Sequence, residues 1–136
     1  MSQKLQVFIS YKHHDIDGAI AQKLYDTLGG WGFDVWMDRH NIPAGVDVGS
    51  TGWISAIDKG LRESQVLFGL ISDDALLSEN VQHEWRWAKG NNRRIFLIKV
   101  RDFNRENMSH QFFETLYLNY PDDLSKLETD LRQFAI

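Results

Sequence analysis

The stretch Val7-Phe8-Ile9-Ser10-Tyr11-Lys12-His13-His14-Asp15 decides the fold, because a short apolar run passes directly into polar and charged residues. A continuous apolar run is typical of a strand that is buried on both faces of a parallel sheet. In open α/β sheets, ligands bind beyond the carboxyl ends of such strands. We therefore expect a binding site to begin where this first strand ends.

Strand-like and helical patterns alternate along the rest of the chain. Strands are predicted at residues 5–10, 33–37, 66–71, 95–100 and, weakly, 115–118. Helices are predicted at 17–28, from Trp53 to Leu61, from an N-cap at Ser78 to Gly90, and from Asp122 onward. Residues 38–51 have no apolar period and contain Pro43, Gly45 and Gly49, which predicts a long surface loop. This alternation predicts an α/β fold with a parallel, doubly wound sheet.

Length and composition favour one domain, residues 1–136, with an intracellular location. The chain has no cysteine, which excludes a disulfide framework and is compatible with a reducing cytoplasm. A net charge of −4 disfavours a broad nucleic-acid surface. No apolar run approaches the roughly 20 residues of a membrane-spanning helix, and Met1-Ser2-Gln3-Lys4 lacks the apolar core of a signal peptide. We expect a cytoplasmic domain that binds neither nucleic acid nor membrane.

Several sharper functional patterns are missing from the sequence. There is no GxGxxG and no phosphate-binding GK[ST] motif after a strand. His13-His14-Asp15 suggests a metal cluster, yet adjacent histidines on a loop point apart and no further ligand pair is evident, so solvated histidines and no metal site are predicted. Ser72 lacks the GxSxG elbow of a hydrolase. A phosphoacceptor receiver would need an acidic pair after the first strand, where Ser10-Tyr11-Lys12 stands instead.

A family resemblance rests on several short motifs in a fixed order. They are Val7-Phe8-Ile9-Ser10-Tyr11, Phe33-Asp34-Val35-Trp36-Met37-Asp38, Asn41-Ile42-Pro43-Ala44-Gly45, Trp53 with Ile57, Leu70-Ile71-Ser72, and Ser78 followed six residues later by Glu84. With these motifs the chain resembles a Toll/interleukin receptor (TIR) domain of bacterial type over essentially its whole length. The resemblance implies a flavodoxin-like, three-layer fold with a five-stranded parallel sheet flanked by helices. It also implies either NAD+ glycohydrolase or cyclase chemistry, or scaffolding by TIR self-association.

Glu84 is the residue on which the enzyme and scaffold interpretations divide. At 100° per residue it lies about 60° from Val81 and beside Ala88, which places it on the rim of the buried helix face, half-shielded. Such shielding would raise the pKa of the carboxyl group. Glu84 resembles the catalytic glutamate of TIR NADases, in which a carboxylate would stabilise the ribosyl cation left when neutral nicotinamide departs. A solvated helix glutamate is the alternative.

The other candidate residues are expected to line the substrate site. Ser10, Tyr11 and Lys12 follow the first strand, and Lys12 either meets a phosphate of the dinucleotide or is simply solvated. Trp36 and Trp53 either stack on a nucleotide ring or belong to the core. The remaining lining residues are Asp38, which could instead pair with Arg39, and Ser78, which is first an N-cap.

The loop that begins at Asp38 is expected to mediate assembly. In the TIR family the corresponding loop docks onto a neighbouring TIR domain, so the resemblance implies that Ile42, Pro43, Ala44 and Gly45 do so here. Head-to-tail docking is heterologous and builds open filaments. In this chain seven residues separate Gly45 from Trp53, a longer and more glycine-rich spacing than such domains commonly have.

The sequence thus predicts an NAD+ nucleosidase or cyclase that releases nicotinamide and leaves ADP-ribose or a cyclic form of it. NAD+ is expected as substrate, with no cofactor, and self-assembly in bacterial immune signalling is the expected mode of activation. Whether the product is linear or cyclic stays open, because it depends on which nucleophile reaches the ribosyl cation. The alternative is a non-catalytic TIR scaffold.

Overall fold

The computed structural model describes residues 5–136, so the expectation for residues 1–4 lies outside the described residues. The strands are β1 Gln6–Ser10, β2 Asp34–Trp36, β3 Val66–Ile71, β4 Arg94–Lys99 and β5 Tyr117–Asn119. The helices are α1 Asp15–Gly30, α2 Asp38–Asn41, α3 Thr51–Glu63, α4 Asp73–Leu76, α5 Glu79–Gly90 and α6 Leu124–Phe134, with 3-10 turns at Arg105–Asn107 and His110–Phe112. Within the described part of the chain, no helix is long and apolar enough to cross a membrane.

The strands form one parallel sheet in the order β2-β1-β3-β4-β5. This order confirms the predicted flavodoxin-like fold. The chain direction across the sheet reverses between β1 and β3, which is where doubly wound sheets open a ligand crevice. Ser10 at the end of β1 lies in register with Gly69 of β3, so the polar residues after β1 stand at the mouth of that crevice.

Helices cover both faces of the sheet and make three layers. Phe8 and Leu67 point to the face that is covered by α3, α4 and α5, where Trp85 packs against them. Val7 and Phe68 point to the opposite face, which α1 and α6 cover. All six residues of β3 are buried, as a central strand between two helical layers requires.

The predicted loop at residues 38–51 is partly helical at each end. Asp38–Asn41 forms α2, in which the Asn41 side chain accepts a hydrogen bond from the Met37 backbone N–H at 2.9 Å. Thr51 already belongs to α3, because the Ser50 hydroxyl accepts from the Trp53 backbone N–H and caps that helix. Residues 42–50 are the segment without a helix or strand.

Other element boundaries also differ from the predictions. The first helix begins at Asp15 rather than residue 17, because the His14 ring accepts from the Ile16 backbone N–H. The fifth strand starts at Tyr117 rather than residue 115, because Thr115 closes a turn onto Phe112. The last helix starts at Leu124 rather than Asp122. Helix α4 was not predicted; it is a single turn capped by a serine side chain.

A partly buried ion pair joins the carboxyl edge of the sheet to α1. Asp17 is fully buried and accepts hydrogen bonds from Arg101 Nε and from Ser72 Oγ, each at 2.6 Å. Arg101 also contacts Asp74 at 2.8 Å. These contacts hold the segments after β3 and β4 against the start of α1, so they fix the relative positions of these segments at the carboxyl edge of the sheet.

Candidate functional site

A cleft of about 160 Å³ opens at the carboxyl end of β1, and we refer to it as the deep cleft. Its walls come from the residues after β1 and β2 and from α3 and α5. It brings together seven of the residues that the sequence singled out, namely Tyr11, Lys12, Trp36, Asp38, Trp53, Ser78 and Glu84. Ser10, the eighth, lies beneath Glu84 and is 1% exposed. Residues from five separate elements therefore meet at the crevice predicted by the strand order.

Glu84 is more deeply buried than the half-shielded rim position that helix geometry predicted. It is 8% exposed, and its Oε1 atom accepts a hydrogen bond from Ser10 Oγ at 2.6 Å. Burial raises the pKa of this carboxyl to about 8; the Ser10 hydrogen bond opposes the shift and the Asp38 charge adds to it. The raised pKa therefore favours the neutral, protonated form of Glu84 near pH 7.

Trp85 completes the support beneath Glu84. Its indole Nε1–H donates to Ser10 Oγ at 3.1 Å. The indole can lie there because Gly69 has no side chain: a Cβ at that position would stand 2.7 Å from the Trp85 ring. Trp85 lies inside the helix predicted from Ser78 to Gly90, but that prediction does not indicate this contact. A glycine inside an otherwise apolar strand is the signal that could have indicated this close approach.

Asp38 forms a second ionisable cluster on the opposite wall. Its Oδ1 atom accepts from Tyr11 Oη and from the Arg39 backbone N–H, each at 2.7 Å, and its Oδ2 atom contacts His13 Nε2 at 2.5 Å. Although burial favours the neutral acid, the hydrogen bonds from His13 and Tyr11 outweigh it and lower the Asp38 pKa. Burial, reinforced by this carboxylate, raises the pKa of Tyr11.

This cluster corrects two expectations from the sequence. Asp38 uses its carboxylate on Tyr11 and His13, and its contact with Arg39 is through the backbone rather than between the two side chains. His13 was predicted to be solvated, yet it lies against Asp38 while keeping half of its side chain exposed. The sequence signal for this contact was the position of His13, which directly follows the polar residues at the end of β1.

The two candidate stacking tryptophans differ in burial. Trp36 is 7% exposed, stacks on Phe8 with ring centroids 4.7 Å apart, and covers Gly60 so closely that a Cβ there would lie 2.4 Å from the indole. Trp53 is only partly buried and packs on the edge of the same core. Both line the deep cleft. Trp53 therefore presents more free ring surface to a ligand than Trp36 does.

The two remaining candidates lie at the mouth of the cleft. Lys12 is half-buried in its wall. Ser78 is the N-cap of α5, where its hydroxyl accepts from the Val81 backbone N–H at 3.4 Å. The Ser78 side chain thus has the capping role that the sequence predicted, and it also faces the deep cleft.

A wider depression adjoins the deep cleft, and we refer to it as the open cleft. It measures about 430 Å³ and is lined by the predicted assembly residues Ile42, Pro43, Ala44 and Gly45. Gly45 has a φ of 89°, a conformation that other residues rarely adopt. The two clefts share Tyr11, His13, Asp38, Val48 and Trp53. The loop after α2 therefore forms a wall of the candidate site.

Two further features of the described residues were compared with the deep cleft, namely possible metal-ligand groups and a depression beside β5. Within residues 5–136, no three His, Asp or Glu side chains are grouped so as to hold a metal ion. A larger depression of about 580 Å³ lies beside β5 and is lined by Lys99, Asp102, Arg105 and Glu114 among others. None of these four charged side chains is buried. The deep cleft is distinguished from it by a buried carboxyl group.

Comparison with known proteins gives one family match and several structural matches. A family model described as the TIR domain matches residues 7–133. The TIR domain of the Toll-related receptor TRR-2 from Hydra magnipapillata has a TM-score of 0.71 at 16% identity, with 95% of this chain and 96% of that chain covered. A 2-deoxyribosyltransferase from Bacillus psychrosaccharolyticus has a TM-score of 0.71 at 15% identity, with 90% of each chain covered.

A third match is to the TIR domains of the activated Roq1 resistosome, which recognises the pathogen effector XopQ. Its TM-score is 0.60 at 16% identity, with 97% of this chain and 84% of that chain covered. At these identities the structural likeness concerns the fold alone. No curated protein matches the sequence significantly.

Proposed function

This chain belongs to the TIR domain family, and from that premise we propose that it cleaves NAD+ at the bond between nicotinamide and ribose. The observation that carries the proposal is the buried Glu84 carboxyl group at the floor of the deep cleft. Glu84 is nine-tenths buried and has no cationic partner in the part of the chain that the structure describes, and such burial of a carboxyl group is costly for the fold. Such a group is typical of a functional site rather than of a packing position.

The proposed reaction needs negative charge beside the ribose. Nicotinamide leaves NAD+ as a neutral molecule, so the leaving group needs little help. The ribosyl fragment becomes cation-like, and a fixed carboxylate in a water-poor cleft stabilises that charge strongly. Glu84, once ionised, would supply this charge and hold a ribose hydroxyl group. Asp38, which its hydrogen bonds keep ionised, would add to the negative field from the opposite wall.

The raised pKa of Glu84 fits a cationic substrate. A positive charge close to a carboxyl group lowers its pKa. The nicotinamide ring of NAD+ is positively charged, so its entry would favour the ionised form of Glu84. Substrate binding would then release one proton. The burial of Glu84 would thereby discriminate against neutral ligands, which could not compensate the cost of ionising it.

The dimensions of the two clefts support a division of the substrate between them. The deep cleft, at about 160 Å³, is smaller than the roughly 300–1,000 Å³ of a complete ligand pocket. We therefore place the nicotinamide and its ribose there and the rest of the dinucleotide in the open cleft. Lys12 would meet a phosphate group at the boundary, and Trp53 would stack on a ring. The same fold also occurs in the 2-deoxyribosyltransferase named above.

Self-association is the second part of the proposal. Ile42, Pro43, Ala44 and Gly45 form a wall of the open cleft, and Pro43, Ala44 and Gly45 are exposed. Docking of this segment onto a second copy would stiffen that wall and complete the substrate site. We propose that such assembly activates the domain in the cytoplasm, in immune signalling. A TIR scaffold without turnover is the alternative function.

The test is direct incubation of the purified protein with NAD+. Chromatography of the products should show nicotinamide together with ADP-ribose or a cyclic isomer of it, in amounts that grow with time. A parallel incubation with a deoxynucleoside and a free base tests for deoxyribosyl transfer instead. A folded protein that leaves NAD+ intact at every protein concentration would contradict the proposal and favour the scaffold.

A further inference from the structure

Three buried polar groups form a chain beneath the deep cleft. Trp85 Nε1–H donates to Ser10 Oγ at 3.1 Å, and Ser10 Oγ–H donates to Glu84 Oε1 at 2.6 Å. Trp85 is fully buried and Ser10 is 1% exposed. Water therefore has little access to either group, and each must find its partner within the protein.

The chemistry of the donors fixes the direction of this chain. An indole nitrogen only donates, so Ser10 Oγ must accept from Trp85. The single hydroxyl proton of Ser10 then goes to Glu84, because the Ser10 side chain has no other hydrogen-bond partner among residues 5–136. Glu84 Oε1 is thereby committed to accepting. A proton on Oε1 would leave the Ser10 proton without an acceptor, at the cost of an unsatisfied buried group.

The second carboxyl oxygen of Glu84 has a different environment. In the described part of the chain, Oε2 has no hydrogen-bond partner, and it is not among the fully buried polar atoms. Since Glu84 lines the deep cleft, Oε2 is the oxygen that is open to a ligand. The other titratable groups that line the same cleft are Tyr11, Lys12, His13 and Asp38.

We propose that Trp85 is a positioning residue that acts through Ser10 to keep the proton of neutral Glu84 on Oε2, facing the ligand. The carboxyl group then meets an incoming substrate as a hydrogen-bond donor at a defined atom. When Glu84 ionises, its proton leaves from Oε2 into the cleft, because the chain of hydrogen bonds ends at an indole that cannot accept one. Burial, which raises the Glu84 pKa to about 8, favours this neutral form near pH 7. The proposal rests on the proposed function only for the identity of the substrate.

Substitution of Trp85 should change the titration of Glu84 in a defined direction. Trp85→Phe removes the N–H that polarises the Ser10 hydroxyl, so the hydrogen bond from Ser10 to ionised Glu84 becomes weaker. The ionised form is then less stabilised, which raises the Glu84 pKa by about half a unit to one unit if one modest hydrogen bond is weakened. Ser10→Ala removes the donor to the carboxylate and should raise the pKa as well.

The measurement is a carbon-13 NMR titration of the ligand-free protein, labelled at the glutamate carboxyl groups. The Glu84 signal is identified by its loss in Glu84→Gln. Trp87→Phe is the matched control and should leave the titration unchanged, because Trp87 lies in the same helix and its ring contacts Arg62 and Arg93. An unchanged or lowered Glu84 pKa in Trp85→Phe and Ser10→Ala would overturn the proposal and leave Trp85 with packing alone.

A second readout covers the case in which Trp85→Phe does not fold. The indole N–H proton shift of Trp85 should follow the ionisation of Glu84 in the wild type and should no longer follow it in Ser10→Ala. An indole signal that is indifferent to pH in the wild type would equally overturn the proposal. Both measurements are made without NAD+. Their outcome is therefore separate from whether the protein cleaves NAD+.

Discussion

Replacing Glu84 by glutamine should stabilise the protein relative to the wild type at high pH. The carboxyl group has its pKa raised from 4.5 to about 8 on folding, chiefly by burial. Between these values the folded state holds a proton that the unfolded state has lost. The stability linked to this proton is complete below pH 4.5 and is lost as the pH rises through 8. Glutamine keeps the shape of the side chain and does not titrate.

The magnitude follows from the size of the pKa shift. Each unit corresponds to 1.36 kcal/mol, so the linked change between pH 5 and pH 9 is about 4 kcal/mol on an order-of-magnitude basis. A domain of this size has a total stability of about 5–15 kcal/mol. The wild type should therefore lose a large part of its stability over this range through Glu84 alone.

The assay is urea unfolding of both proteins at pH 5, 7 and 9, followed by tryptophan fluorescence. Glu79→Gln is the matched control, because Glu79 lies in the same helix with a side chain that is 95% exposed. The stability difference between Glu84→Gln and the wild type should grow with pH, while Glu79→Gln should follow the wild type. A difference that stays constant from pH 5 to pH 9 would refute the burial argument.

Three further outcomes are expected. Specific activity should rise with protein concentration, and Ile42→Asp should abolish that rise. Because Ile42 packs partly on the core, the exposed Ala44→Asp tests the same contact without disturbing the fold. Equal specific activity over a hundredfold range of protein concentration would exclude activation by assembly. Trp53→Leu should raise the Michaelis constant for NAD+ with little change in melting temperature, whereas Trp36→Leu should lower the free energy of unfolding by about 2–4 kcal/mol. The reverse pattern would identify Trp36 as the stacking ring. The kcat/KM for NAD+ should increase with pH to a plateau above about 8, the pKa of free Glu84, and a flat profile between pH 6 and 9 would exclude a need for its ionised form.

Regular periodicity made most of the fold predictable. The third strand is apolar at every position and is buried at every position. The helices predicted from Ser78 to Gly90 and from Asp122 onward correspond to α5 and α6. Helices α2 and α4 were missed because each is a single turn. Helix α4 is capped by Ser72 Oγ, which accepts from the Ala75 backbone N–H, and α2 is closed by the Asn41 side chain, which accepts from the Met37 backbone N–H. Local hydrogen bonds of this kind leave no apolar period in the sequence.

Site residues that belong to a recognisable motif could be predicted from the sequence, whereas contacts between residues far apart in the chain could not. Glu84 was identified through the family resemblance, but its degree of burial depends on a partner, Ser10, that lies 74 residues away. His13 and Asp38 are 25 residues apart and meet only because β1 and β2 are neighbours. No single-sequence pattern encodes such pairings. The hydrogen bond from Trp85 to Ser10 also requires glycine at position 69, because any side chain there would collide with the Trp85 ring. From the sequence alone, a glycine in a strand indicates only a weaker strand.

The most direct test of the central claim compares nicotinamide release from NAD+ by the wild type, Glu84→Gln and Glu79→Gln at equal protein concentration. One preorganised electrostatic group is worth about two to three orders of magnitude in rate. The account predicts that a folded Glu84→Gln protein loses at least that much activity while Glu79→Gln keeps the wild-type rate. Nicotinamide release by Glu84→Gln at a rate near that of the wild type would contradict it.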